Sequence, residues 1–407
     1  MGGKPPILKM LFFLNLVSVL LIFLFVIKFD RKMIFFWSAI CFLYYFPISI
    51  DYYYSHKNNV TIHNVLLFSL MFNLIYLLLG FVFKRQGNDS FNANLLGAIT
   101  RFDLYFVCLI FFVSVTIPIF LVYIKYGSFL NVGWRDTKSI PYYLIFLYLY
   151  YFSSISLYIS LSVFKEKWVS ISIIILALFF VLTFQSRSLI LPILFPVIYH
   201  YLYFDNGLGK LKVVLLGGMF LLSFFLLQQF RYSGLDNFSI EIALNNIAEQ
   251  IVRGEGELSI IDVFYYLMDR GEYVVGFSEG WSYLRVFFFY LPAGLFDIKP
   301  LDFSYEIWNA YTGIYNVGGS LHPTHYGMAF GNFSWLGVLF GPVFLILFSV
   351  AYDFIIKSLN INGLMVISSF LSGTVLMARG SIYNGFLVVI IGLFLGVLFN
   401  YIRKVKI

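Results

Sequence analysis

The stretch Gly318–Pro342, GGSLHPTHYGMAFGNFSWLGVLFGP, joins two kinds of sequence. Behind it, from about Arg231 to Trp335, lies the only long interval without an apolar run able to cross a bilayer. Ahead of it, and again before Arg231, such runs follow one another. A lipid interior offers backbone groups no partner, so the runs must be helices. The interval between them must lie at one membrane face or dip into the protein from it. The chain is therefore read as all-α and polytopic, in three parts: an N-terminal bundle over residues 1–230, an outward loop over 231–335, and C-terminal helices over 336–407.

Composition agrees with that reading. Of 407 residues 61% are hydrophobic and 12% charged, about half the charge of an average soluble domain. The formal charge of +7 does not indicate a nucleic-acid partner, because the Lys and Arg side chains stand at the ends of apolar runs, where they determine topology. Cys41 and Cys108 both fall inside runs, without pairing or metal spacing. The first run, Ile7 to Ile27, ends in Lys28-Phe-Asp-Arg-Lys with no small-residue cleavage site, so it reads as a retained helix.

Apolar runs fall near 7–27, 33–53, 62–83, 103–124, 141–163, 168–184, 188–204, 211–230, 336–356, 362–378 and 383–402. This predicts about eleven helices, with ten to twelve as the range. Gln185-Ser-Arg-Ser188 separates the sixth from the seventh, and Pro192 and Pro196 favour a break there. Basic residues gather in alternate loops: Lys28, Arg31 and Lys32; Lys84, Arg85 and Arg101; Lys165 and Lys167; Lys210 and Lys212; Lys357; and the tail Arg403, Lys404 and Lys406. The positive-inside rule makes that set cytoplasmic, so residues 231–335 face outward and the C-terminus inward. Lys4 and Lys9 point the other way. Inside the interval, Ile240, Leu244, Ile247 and Ile251 recur at helical spacing, as do Ile260 or Ile261, Phe264 and Leu267 or Met268, each set ending near a glycine, Gly254 or Gly271. Two short amphipathic helices follow, and Trp281 to Tyr290 forms a third, interfacial or re-entrant segment.

The groups able to do chemistry concentrate at the outer face. Arg187, Arg231, Arg253, Arg285 and Arg379 present guanidinium groups, which stay charged and offer a bidentate fork suited to a diphosphate. Snorkelling or pairing with nearby acids is the plainer role for each. His322 and His325, either side of Pro323-Thr324, follow a Gly-Gly pair. An imidazole titrating near neutrality can take a proton from a hydroxyl. His325 is preferred as base because it leads into a helix. Carboxylates, Glu306 among them, are the alternative. Trp281, Tyr311 and Tyr315 could stack on sugar faces, although interfacial anchoring also accounts for them. A zinc site would need further ligands beside the two histidines, with Glu306 the best available. There is no glycine-rich phosphate loop, nucleophile elbow, DxD-like pair at the outer face or HExxH, which disfavours nucleotide- and metal-dependent enzymes, so no cofactor is expected.

The architecture resembles the bacterial oligosaccharide repeat-unit polymerases that build O-antigen or capsule. Beyond architecture, the resemblance is carried by HPTHYGxxxGNFSWLGVLFGP and by Arg379-Gly-Ser, and O-antigen ligases share the plan. It implies a membrane-embedded glycosyltransferase bundle of the GT-C-like type, independent of metal, on the outer side of the cytoplasmic (inner) membrane. The activity it implies is transfer of a growing glycan from one undecaprenyl diphosphate to the sugar of a second lipid-linked repeat unit. Implied partners are the lipid-linked donor and acceptor, the bilayer and a chain-length-regulating membrane protein. A ligase, or a flippase for the same lipid-linked oligosaccharide, is the alternative; a flippase would call for charges spread through several helices.

Overall fold

The computed structural model describes residues 5–54, 58–84, 99–130, 132, 134–203, 211–218, isolated positions between 223 and 245, 259–274, 279–288, 302–314 and 320–405. Among these there is no strand. Among the described residues eight helices are long and apolar enough to cross a membrane. In order they are α1 (Pro6–Phe29), α2 (Arg31–Tyr54), α3 (Asn59–Phe83), α4 (Arg101–Tyr126), α5 (Tyr143–Val163), α6 (Lys167–Phe184), the composite Thr324–Ser358, and Ile382–Lys404. These coincide with eight of the eleven expected runs. The seventh and tenth runs give the shorter apolar helices Ser188–Tyr203 and Gly363–Ala378, and the eighth run, near 211–230, is helical at the positions described within it, 211–218, 223, 226 and 227.

Contacts gather the chain into two compact units. One holds Met1–Ser90, Gln250–Ser358 and Gly373–Leu387; the other holds Phe91–Glu249, Leu359–Ser372 and Val388–Ile407.

In the second unit, α4 opens on a capping box in which the Thr100 side chain accepts from the Asp103 N–H and the Asp103 carboxylate accepts from the Thr100 N–H. Helix α6 stops at Phe184 because Gln185 adopts φ 46, and a short 3-10 turn, Arg187–Ile190, leads into α7 (Leu191–Tyr203). The break that the sequence predicts is present. Pro196 sits inside α7, and its missing N–H leaves the carbonyl four residues back, that of Pro192, without its helical donor. Ser368 Oγ supplies one at 2.7 Å.

The first unit is built around α3. Helix α1 packs along it, and α2 carries a π turn at Cys41–Tyr45. That turn brings two tyrosines inward. Tyr44 Oη donates to Ser69 Oγ at 2.7 Å, and Asn73 Nδ2 donates to Tyr45 Oη at 2.6 Å and to Ser18 Oγ at 2.8 Å. Ser69 Oγ in turn donates to Asn15 Oδ1 at 2.7 Å. Polar groups inside apolar helices satisfy one another in this way rather than facing lipid. Near the end of α1, Lys32 Nζ lies 2.7 Å from both Asp30 and Asp353, and Ser349 Oγ donates to Asp30 at 2.7 Å.

Three helices of the long interval pack into this unit: α8 (Ile260–Val274), α9 (Trp281–Leu284) and α10 (Phe303–Thr312). Helix α8 continues past Gly271, where the sequence suggests its end. Its Phe264 ring meets Phe68 of α3 at 5.8 Å, and Thr61 Oγ1 donates to Asp269 at 2.7 Å, so the two helices run antiparallel. The first expected amphipathic helix, near 240–251, lies largely outside the described residues.

The stretch expected to stay a loop until 335 is helical from Thr324: α11 (Thr324–Phe333) turns at Ser334, φ 51, into α12 (Gly337–Ser358). The reason is in the glycines. Gly327 and Gly331 read as loop punctuation in sequence, yet four apart they form one smooth helix face. A Cβ on Gly327 would come within 2.8 Å of Pro323 and 3.1 Å of Phe264, and one on Gly331 would collide with Phe303. Helix α11 starts near the middle of α3, where Tyr326 Oη donates to Asn73 Oδ1 at 2.7 Å. It runs back to the level of Phe68, which meets Phe330 at 5.5 Å and Trp335 at 5.9 Å. Helix α12 then reverses along α3 toward Asp30.

The last two helices are α13 (Gly363–Ala378) and α14 (Ile382–Val405).

Candidate functional site

The two stretches that carry the sequence motifs meet in the first unit. The Thr324 N–H donates to the Arg379 carbonyl at 3.1 Å, which ties the entry of α11 to the turn between α13 and α14. Gly380 makes this approach possible. It holds φ +100, and a Cβ there would stand 2.8 Å from the Thr324 carbonyl and 3.1 Å from Pro323 Cδ. Thr324 itself is fully buried and adopts φ 63, an uncommon conformation for a β-branched residue. The segment just before it, at Leu321, donates its N–H to the Ser304 carbonyl of α10 at 3.1 Å.

Through that contact α10 brings Glu306 to the junction. Asp302 caps the helix: its side chain accepts from the Ser304 N–H at 3.1 Å and from Ser304 Oγ at 2.8 Å. Glu306 is half-buried, and burial raises its pKa above the ordinary 4.5. The Asp302 charge raises it further, while the Arg285 guanidinium pulls it back. Arg285 belongs to the segment after α9, which is fastened to the end of α11 by Asn332. The Asn332 carbonyl accepts from the Gly280 N–H at 3.1 Å, and its Oδ1 accepts from the Ser282 N–H at 3.3 Å. The Arg285 guanidinium lies 4.5 Å over the Tyr383 ring at the start of α14, a cation–π contact that orients the fork. Arg379 and Arg285 are both half-buried.

His322 is half-buried beside this junction. His325 is not at a surface. It has no exposed area, its ring stands edge-on to Phe36 at 5.3 Å and Phe72 at 5.8 Å, and its Nδ1 lies 3.3 Å from the Met377 carbonyl. In this arrangement the ring is closed off from solvent. Trp281 and Tyr311 are about half exposed, at 48% and 46%. Tyr311 meets Tyr266 edge-on at 5.0 Å, and Tyr266 Oη donates to the Ala310 carbonyl at 2.7 Å. Among the described residues no group of His, Cys, Asp and Glu side chains could hold a metal ion.

Of the remaining expected site residues, Arg231, Arg253 and Tyr315 lie outside the described residues. Arg187 begins the 3-10 turn before α7, in the second unit; its side chain is also outside what is described. Sequence reasoning assigned no role to Thr324, Asn332 and Gly380, although they lie within the quoted motifs, and it passed over Tyr383. Asn332, a polar residue within the apolar GNFSWLGVLF, offered a further local signal. No family model, curated protein or solved structure matches this chain.

Proposed function

We propose that this protein transfers a glycan from one lipid-linked diphosphate to a sugar hydroxyl of another, as an oligosaccharide repeat-unit polymerase of the outer face of the cytoplasmic membrane. The observation that carries this reading is the approach of the Arg285 guanidinium to the half-buried Glu306 carboxyl and to the Tyr383 ring, beside a junction where backbone bonds tie Leu321 to Ser304 and Thr324 to the Arg379 carbonyl. In the transfer, the acceptor oxygen bonds to the anomeric carbon as the carbon–oxygen bond to the diphosphate breaks. The electron pair leaves with undecaprenyl diphosphate, and the acceptor's proton goes to a base. Half-buried guanidinium groups suit the developing negative charge on the leaving diphosphate. A carboxylate with a raised pKa is a stronger base than an ordinary one, so Glu306 takes that role in preference to His325. His322, at the same junction, is left to contact the sugar. Arg187, Arg231 and Arg253 are proposed for diphosphate binding on sequence grounds alone, apart from this junction.

Purified protein in nanodiscs, given an undecaprenyl-diphosphate-linked repeat unit, is expected to produce a ladder of longer glycans. Glu306→Gln should slow elongation by about 10² to 10⁴ while lipid-linked substrate is still retained. Wild-type chain length from Glu306→Gln would move the base elsewhere, and absence of elongation by the wild type would overturn the reading. In a deletion strain, a lipid core bearing one repeat indicates lost polymerisation, whereas a core bearing none indicates ligation or flipping.

A further inference from the structure

We infer that His325 is a positioning residue that, with the Thr324 backbone, staples the turn carrying Arg379. The inference rests on the transfer reading above for the use to which Arg379 is put. Two adjacent residues of α11 hold two carbonyls of one turn: Thr324 N–H reaches Arg379 O at 3.1 Å, and His325 Nδ1 reaches Met377 O at 3.3 Å. A carbonyl can only accept, so the bond to Met377 requires the tautomer with the proton on Nδ1. The last carbonyls of a helix lack donors of their own. At the end of α13 the Met377 carbonyl also takes the Gly380 N–H at 2.9 Å, so the turn folds tightly upon itself.

Three further features show that the arrangement is held under constraint. Thr324 keeps φ 63 despite its branched Cβ, a conformation that survives only where the surroundings over-determine it. Gly380 presses against the Thr324 carbonyl so closely that any side chain would pry the two apart. The His325 ring is wedged between Phe36 and Phe72, with the backbone of Gly341 also beside it. It therefore anchors the turn to α2, α3 and α12 together. A guanidinium that must meet a leaving diphosphate within a fraction of an ångström needs a rigid support of this kind.

Substitution at His325 separates positioning from catalysis. An asparagine amide nitrogen falls where Nδ1 stands, keeping the bond to Met377 while removing any imidazole base; glutamine reaches past that point. His325→Ala and His325→Gln are expected to raise KM for the undecaprenyl-diphosphate-linked donor about tenfold, the scale of one lost hydrogen bond, and to lower kcat by a comparable factor as the charge developing on the leaving diphosphate loses the same guanidinium. His325→Asn should return both to near wild type. A loss of about 10² to 10⁴ in kcat from His325→Asn would make the imidazole the base and overturn the inference, as would wild-type kinetics from His325→Ala. Gly380→Ala, which leaves His325 in place, should reproduce the KM rise; wild-type kinetics there would equally overturn it. Amide exchange in detergent without substrate gives a readout independent of activity. The amides of 379–383 should exchange faster in His325→Ala but not in His325→Asn, and unchanged exchange in both would remove the staple. If the wild type elongates no glycan yet this exchange pattern holds, the transfer reading fails and the staple stands.

Discussion

Glu306 is the residue at which the proposed chemistry can be read most directly, because three separate influences on its carboxyl are known in sign. Burial and Asp302 raise its pKa and Arg285 lowers it, with a net rise from 4.5. A base works only when deprotonated, so activity should fall away on the acid side at a pH above that of an ordinary glutamate. Arg285→Gln removes the lowering influence and should move this acid limb to higher pH. Asp302→Asn removes a raising one, while an asparagine still caps α10, and should move the limb to lower pH. Arg285→Lys keeps the charge, so the limb should stay while kcat drops through loss of the fork. Profiles of kcat/KM against pH for the three variants decide the matter: limbs that do not move in opposite directions for Arg285→Gln and Asp302→Asn rule Glu306 out as the base. Residue types at the site were legible in the sequence, since arginine and carboxylate chemistry travels with the side chain. Their grouping was not. Arg285 acts on Glu306 from another element, and Thr324 meets Arg379 only after α12 and α13 have crossed between them. His325 shows the same limit: its type suits a base, but its burial depends on Phe36 and Phe72, far away in the chain.

Among the elements, α7 shows how a proline is tolerated inside an apolar helix. Pro196 frees the Pro192 carbonyl, and Ser368 of α13 satisfies it. Ser368→Ala should then destabilise the protein by about 0.5 to 1.5 kcal/mol. Pro196→Ala, which restores a helical N–H, should make Ser368 dispensable. Unfolding of the two single variants and the double variant in bicelles forms the cycle, and strictly additive effects would show that the serine serves something else. Most helices were legible as apolar runs because hydrophobicity is a property of each side chain on its own and needs no partner. Element ends were less so. The sequence places a loop up to Trp335, but Gly327 and Gly331, alike in sequence to loop glycines, serve as the contact face of α11 against Phe264 and Phe303. What a glycine does depends on what approaches it. The same holds for the polar network: Asn15, Ser69 and Asn73 are single polar residues in apolar runs until Tyr44, Tyr45 and Tyr326 close on them.

At the scale of the whole molecule, the distribution of Lys and Arg leads us to expect the interval 231–335 outside the cytoplasmic membrane and the C-terminus inside. Ile314 and Lys404 are both exposed and serve as reporters in a background carrying Cys41→Ala and Cys108→Ala. A membrane-impermeant maleimide should label Ile314→Cys in intact cells and Lys404→Cys only after permeabilisation. The reverse pattern would invert the orientation and put the junction at the cytoplasm. One contact bears on how the chain is made. Lys32 pairs at once with Asp30, two residues away, but its second carboxylate, Asp353, follows 321 residues later. At about 5 to 20 residues per second, the ribosome needs on the order of a quarter of a minute to a minute to deliver it. Until then Asp30 is the one of the two carboxylates on hand to offset the Lys32 charge. The serine and the carboxylate of α12 complete the cluster, so synthesis order alone makes this contact between the first helices and α12 one of the last the chain can close.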